Sequence, residues 1–81
     1  MEKAVILNEL NKIFIDVFEN KKIVISLSTT VNDFNDWSSL KHIQLIDSIE
    51  KRFNINFKLA EVIKLKTVEE ICEGIKEKIA N

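Results

Sequence analysis

An 81-residue chain with no proline and a single glycine must stop its helices and turn its loops with other residues. Asn, Asp, Ser and Thr supply that punctuation, and a glycine-rich phosphate loop is excluded. Between such residues the apolar positions recur at helical spacing. From Ala4 to Glu19, the residues Ile6, Leu7, Leu10, Ile13, Phe14, Val17 and Phe18 make one amphipathic stripe, which Asn20, Lys21 and Lys22 end. Near the other terminus Thr67 and Glu70 stand three apart as a capping box, followed by Val68, Ile71, Cys72, Ile75 and Ile79. Gly74 inside that helix costs about 1 kcal/mol relative to alanine and is read as a tolerated position. A third run starts near Ser38 or Ser39 and ends near Phe53, with Leu40, Ile43, Leu45, Ile46, Ile49 and Phe53 apolar.

Two stretches resist that period. Ile23 to Val31 is β-branched and broken by Ser26, Ser28, Thr29 and Thr30, while Phe53, Ile55, Phe57 and Leu59 alternate with Asn54, Asn56 and Lys58. Pattern alone leaves two architectures open: three helices with a small ribbon, or a helical bundle with a long packed loop. After Leu59, the run Ala60, Val62, Ile63 and Leu65 suffices for one or two helical turns. Nothing marks an internal linker or repeat, so residues 1–81 read as a single domain.

Size and charge narrow the function. A chain this short buries about 60% of its unfolded surface, and one cysteine allows no internal disulfide. At 46% hydrophobic and 31% charged the composition is that of a folded domain. Twelve Lys and Arg against thirteen Asp and Glu leave a formal charge of −1, without the basic footprint of a nucleic-acid binder. The apolar run after Met1 is too short for a signal peptide, and no segment approaches the ~20 apolar residues of a membrane span. The lone Cys72 suits a reducing setting, so a soluble cytoplasmic protein is expected.

Most of the chemical information lies in Asp36-Trp37-Ser38-Ser39-Leu40-Lys41-His42-Ile43. With Ser38 as N-cap, Ser39 takes the first helical position, where unpaired N–H groups and the positive end of the helix dipole favour an attached anion. At about 100° per residue, Ile46 lies about 20° and Ile43 about 40° from Ser39, so the serine is expected to crown the apolar stripe. The segment resembles the signature of the acyl carrier protein family, Asp-Ser-Leu at the head of the second helix of a four-helix bundle. The matching residues are Ser38-Ser39-Leu40, continued by Ile43, Leu45, Ile46, Ile49, Glu50 and Phe53. Asn54-Ile55-Asn56-Phe57, a short helix over Leu59 to Ile63, and Lys66-Thr67-Val68-Glu69-Glu70-Ile71 extend the likeness over nearly the whole chain.

The resemblance implies an all-α four-helix bundle with a long first loop and a short third helix, acting as a carrier and not an enzyme. A phosphopantetheinyl transferase would move 4′-phosphopantetheine from coenzyme A onto Ser39. The arm would hold an acyl thioester for acyl-loading and acyl-transferring enzymes. Two departures stand out. The motif aspartate is replaced by Ser38, which still caps, and Asp36 brings a carboxylate two residues earlier. Placing the arm on Ser38 instead breaks the register of Leu40, Ile43 and Ile46. The second helix also carries Lys41, Lys51 and Arg52 against Asp47 and Glu50, a net +1, whereas carriers of primary fatty-acid synthesis are similar in a strongly acidic second helix. Because electrostatic matching sets partner choice, a dedicated carrier of a specialised pathway is expected, with D-alanyl or aminoacyl cargo open. An unmodified helical interaction module is the competing class.

Other residues receive smaller roles. Ser39 and His42 lack the third group and strained turn of a nucleophile site, so His42 is read as a packed or rim residue that meets the arm or its cargo. Trp37 anchors the loop or meets a partner. Ile43 and Ile46 line the acyl pocket or the core, Leu40 contacts a partner or the arm, and Lys41 is solvated or docks a partner. One His and one Cys thirty residues apart make no metal site, and a monomer is expected.

Overall fold

The computed structural model describes residues 1–80. It contains α1 (Lys3–Phe18), α2 (Ser39–Phe53), α3 (Leu59–Lys64) and α4 (Val68–Ala80), with a 3-10 turn at Val31–Asp33. Without glycine at the helix ends, α1 and α2 close on residues bearing a Cβ. Glu19 (φ 52°) and Asn54 (φ 56°) take the left-handed conformation and return their N–H groups to the Ile15 and Glu50 carbonyls. Asn tolerates that region well. Glu does not, and such a backbone costs roughly 1–2 kcal/mol.

Most of the apolar positions read from the sequence for α1 and α4 are buried, whereas in α2 only Leu45, Ile46 and Ile49 are. Ile6, Leu10, Ile13, Phe14 and Phe18 of α1 meet Leu45, Ile46 and Ile49 of α2 and Val68, Ile71, Cys72 and Ile75 of α4. Lys3 pairs with Glu73 across the α1–α4 seam, and Arg52 with Glu9 across α1–α2 at 3.1 Å.

No strand forms among the described residues; the loop touches the last helix start through one isolated bridge, Thr30 to Thr67. The reason lies in Asn11, on α1. Its side-chain amide donates to the Ile23 carbonyl at 3.2 Å and accepts from the Ile25 N–H at 2.7 Å, occupying backbone groups that a ribbon would need. Ile25 is thereby pinned into the core. Further on, the Val68 and Glu69 N–H groups donate to the Thr29 and Leu27 carbonyls, so the loop satisfies two open donors of α4. The Thr67–Glu70 capping box closes that end.

The α2–α3 linker uses its alternation in another way: Ile55 is buried and Phe57 half-buried, while Leu59 opens α3 exposed. Gly74 has a packing role, contrary to its reading as merely tolerated. A Cβ there would stand 3.1 Å from Cε1 of the Phe57 ring, so the glycine admits that ring against α4. No residue of α3 is fully buried. Polar ties hold it instead: Glu61 to Lys78 at 2.9 Å, the Lys58 N–H to Glu61 at 2.8 Å, and the Phe57 N–H to Glu50 at 2.8 Å. Among the described residues, no helix is long and apolar enough to cross a membrane.

Candidate functional site

Ser38 is the N-cap of α2, in extended conformation, with its hydroxyl accepting from the Lys41 N–H at 3.2 Å and its carbonyl accepting from the His42 N–H at 2.9 Å. Asp36 reaches this cap through its backbone, its carbonyl accepting from the Ser38 N–H at 2.9 Å. Ser39 is the first helical residue and is exposed. Its own N–H and that of Leu40 have no hydrogen-bond partner among the described residues, which leaves two donors pointing out of the helix start.

Beside Ser39 opens a groove of about 350 Å³ between the end of the first loop, α2 and α3, within the size range of small-molecule clefts. Of the residues singled out in the sequence, Trp37, Ser38, Ser39, His42 and Ile43 line it. The far wall comes from Leu59, Val62, Ile63 and Leu65, and Val31 and Lys66 complete it. That far wall was not foreseen: a six-residue helix is too short for a period to show which side faces a neighbour. Leu59 and Ile63, one helical turn apart, are the trace it leaves in the sequence.

Trp37 is buried against Phe14, Phe18 and Phe34, with ring centroids at 5.4, 5.8 and 5.4 Å in edge-on contacts. Its indole is therefore both a loop anchor and a groove wall. The indole N–H donates to Nδ1 of His42 at 3.0 Å, and Nε2 of His42 lies 2.9 Å from the Val62 carbonyl. An indole nitrogen only donates and a carbonyl only accepts. These two partners assign His42 as the neutral imidazole with its proton on Nε2. His42 thus joins the loop, α2 and α3 across the groove, the packed alternative of the packed-or-rim reading.

The serine does not crown the buried stripe. Leu45, Ile46 and Ile49 centre that stripe roughly 70° around α2 from Ser39, taking about 100° per residue, and Ile43 falls on the far side of the serine. Accordingly Ile46 is core, at 4% exposure, whereas Leu40 and Ile43 are exposed. Lys41 is not solvated either: its ammonium donates to the Val17 carbonyl at 2.9 Å and lies 5.9 Å from the Phe18 ring centroid. It serves the C-terminal end of α1, where a cation suits the helix dipole. The other charges of α2 are also engaged, Lys51 with Asp47 at 3.0 Å, Arg52 with Glu9, and Glu50 with the Phe57 N–H. Lys12 and Arg52 hold the Glu9 carboxyl below its ordinary value. Cys72 is fully buried, and burial pushes its thiol up to about 11. No group of metal-ligating side chains occurs among the described residues.

A free hydroxyl and two open N–H groups at a helix start, facing an apolar groove, describe a place where a small molecule can be tethered. The chain matches the family described as "Phosphopantetheine attachment site" over residues 8–75, and it belongs to that family. None of the curated proteins matches its sequence. Among solved structures it is similar to the solution NMR structure of a holo acyl carrier protein from Geobacter metallireducens, with 39% identity and a TM-score of 0.85 over 91% of this chain and 85% of that one. The family is one of non-catalytic carriers whose prosthetic group is phosphopantetheine. The residues present fit that group. The α2 start offers donors for a phosphodiester, and the groove beside it offers apolar walls for the pantetheine chain.

Proposed function

We propose that the protein is an acyl carrier that bears 4′-phosphopantetheine on Ser39. The observation that carries this reading is the position of the Ser39 hydroxyl, exposed on the first residue of α2 at the mouth of the apolar groove. Bound there, the group supplies a thiol on a flexible arm, which holds cargo as a thioester. The chain's residues do the rest. Ser38 fixes the helix start, the Ser39 and Leu40 N–H groups would hold the phosphodiester, and Trp37, Val62 and Ile63 would offer the arm an apolar surface. The same residues leave the far end of the arm free to reach a partner's active site. The protein works as a monomer in the cytoplasm, modified by a phosphopantetheinyl transferase and used by acyl-loading and acyl-transferring enzymes.

Intact-mass measurement after incubation with coenzyme A and a broad-specificity transferase tests this. One phosphopantetheine is expected on the wild type and on Ser38→Ala, and none on Ser39→Ala. No addition to the wild type would instead favour an unmodified interaction module, the reading that Ser38 in place of the motif aspartate supports.

The pathway is read from charge. The cations of α2 outnumber its anions by three to two, and each is tied to a neighbour within the fold. Housekeeping fatty-acid enzymes dock on an acidic helix, so this carrier belongs with the enzymes of a specialised pathway. Malonyl loading and elongation by fatty-acid synthase enzymes should run at least tenfold below a housekeeping carrier in kcat/KM; parity would refute the assignment.

A further inference from the structure

The groove beside Ser39 adjoins a second pocket, of about 490 Å³, and the two share Val31 and Lys66 as walls. The groove is apolar beyond its serines, because both ring nitrogens of His42 are already engaged, by the Trp37 indole and the Val62 carbonyl. The second pocket is polar, with Thr30, Asn32 and Thr67 around the shared pair. The Thr30 hydroxyl accepts from the Asn32 N–H at 3.2 Å and keeps its own proton to donate.

Among the described residues, Lys66 is the one ionised side chain that lines either cavity. Its backbone is fixed from two sides: the N–H donates to Glu70 at 3.1 Å, and the carbonyl accepts from the Val31 N–H at 3.2 Å. Its ammonium forms no ion pair among the described residues. The neighbouring carboxylates are turned elsewhere. Glu70 accepts from the Lys66 and Thr67 N–H groups and lines the separate α3–α4 groove, and Asp33 accepts from the Thr30 N–H at 2.7 Å. The exposed Asp36 is close to Ser39 in the chain but lines neither cavity. The fold gains nothing from a cation at this point: Lys66 stands just ahead of α4, at the helix end that favours negative charge.

We infer that the cargo of this carrier is an acyl group that ends in a carboxylate. The arm and the acyl chain follow the apolar groove, and the terminal carboxylate meets the Lys66 ammonium where the polar pocket begins. The inference rests on Ser39 carrying the arm, and it chooses among the cargoes that such an arm can hold. An aminoacyl group brings an ammonium of its own, which these cavities meet with a second ammonium and no carboxylate; losing water there is costly. A methyl-ended acyl chain uses the groove and leaves Lys66 without a partner.

The test loads the full chain from three coenzyme A thioesters of equal chain length, adipoyl, hexanoyl and ω-aminohexanoyl, using a broad-specificity phosphopantetheinyl transferase, with intact mass confirming each product. At about 50 mM salt the adipoyl form should melt about 3 °C above the hexanoyl form, and the ω-aminohexanoyl form at or below it. The adipoyl gain should shrink at about 500 mM salt. It should vanish in Lys66→Met, which keeps the backbone ties and the stem of the side chain. The Asn32 and Thr67 amide signals should shift on adipoyl loading and stay in place on hexanoyl loading. Equal melting of the adipoyl and hexanoyl forms, or a gain that survives in Lys66→Met, overturns the inference while the carrier reading stands. An ω-aminohexanoyl form as stable as the adipoyl form overturns it as well. If Ser39 gains no mass from any of the three thioesters, the carrier reading falls first and the inference with it.

Discussion

His42 offers the sharpest test of how the groove is built. In His42→Ala, the buried Trp37 indole N–H loses its acceptor, while the Val62 carbonyl keeps the Leu65 N–H at 3.2 Å. The orphaned donor is the larger loss, at about 1–3 kcal/mol, and the second hydrogen bond adds about 1 kcal/mol. Water entering from the groove recovers part of it, so about 2 kcal/mol is expected in total. For a domain of this length that lowers Tm by roughly 8–16 °C. Trp37 is the only tryptophan, so its emission reports the event directly beside the global melt. Gln at this position can accept from the indole with its amide oxygen and donate to Val62 with its amide nitrogen, and His42→Gln should recover more than half of the loss. A His42→Ala variant within about 0.5 kcal/mol of wild type, or as stable as His42→Gln, would refute the bridging role.

Three further expectations concern the ties in the rest of the bundle. Asn11→Ala removes both hydrogen bonds that pin the first loop, costs about 2 kcal/mol, and should speed amide exchange most at Ile25, which donates to Asn11. Glu19→Gly relieves the left-handed strain at the end of α1 and should raise stability by about 1 kcal/mol, or roughly 4–8 °C in Tm, by thermal melting. The Glu61 carboxyl is held below its ordinary 4.5 by the Lys58 N–H and the Lys78 ammonium. Its contribution is complete above that ordinary value and disappears as pH falls through the depressed one. Amide exchange in α3 should accordingly accelerate below pH 4.5, and Glu61→Gln should abolish that acid-dependent change.

The sequence carried the three long helices because each has a stripe several turns long and a terminator that could be named. It carried the helix start under Ser39 for the same reason: a capping serine followed by an apolar period leaves one place for the first turn. The hidden parts are those that depend on another element. Lys41 looked like surface because nothing local shows that the α1 carbonyls end within its reach. Gly74 looked incidental until the Phe57 ring from the α2–α3 linker was found against it. The 23–31 stretch had the composition of a strand, but one asparagine on α1 captures its backbone first. Ile43 followed the stripe in a helical projection, yet α1 and α4 set the angle of the buried sector, and it excludes that residue.

Cys72 has a practical consequence. Its sulfur is enclosed by the bundle, and its proton is held well into the alkaline range. At neutral pH a thiol reagent should pass over it for as long as the protein stays folded. In the pantetheinylated protein the only readily alkylated sulfur is then the one at the tip of the arm. Reagent uptake under native conditions counts empty arms, the same count after denaturation adds Cys72 as an internal standard, and the difference between samples reads out how many arms are loaded, with no residue of the carrier changed.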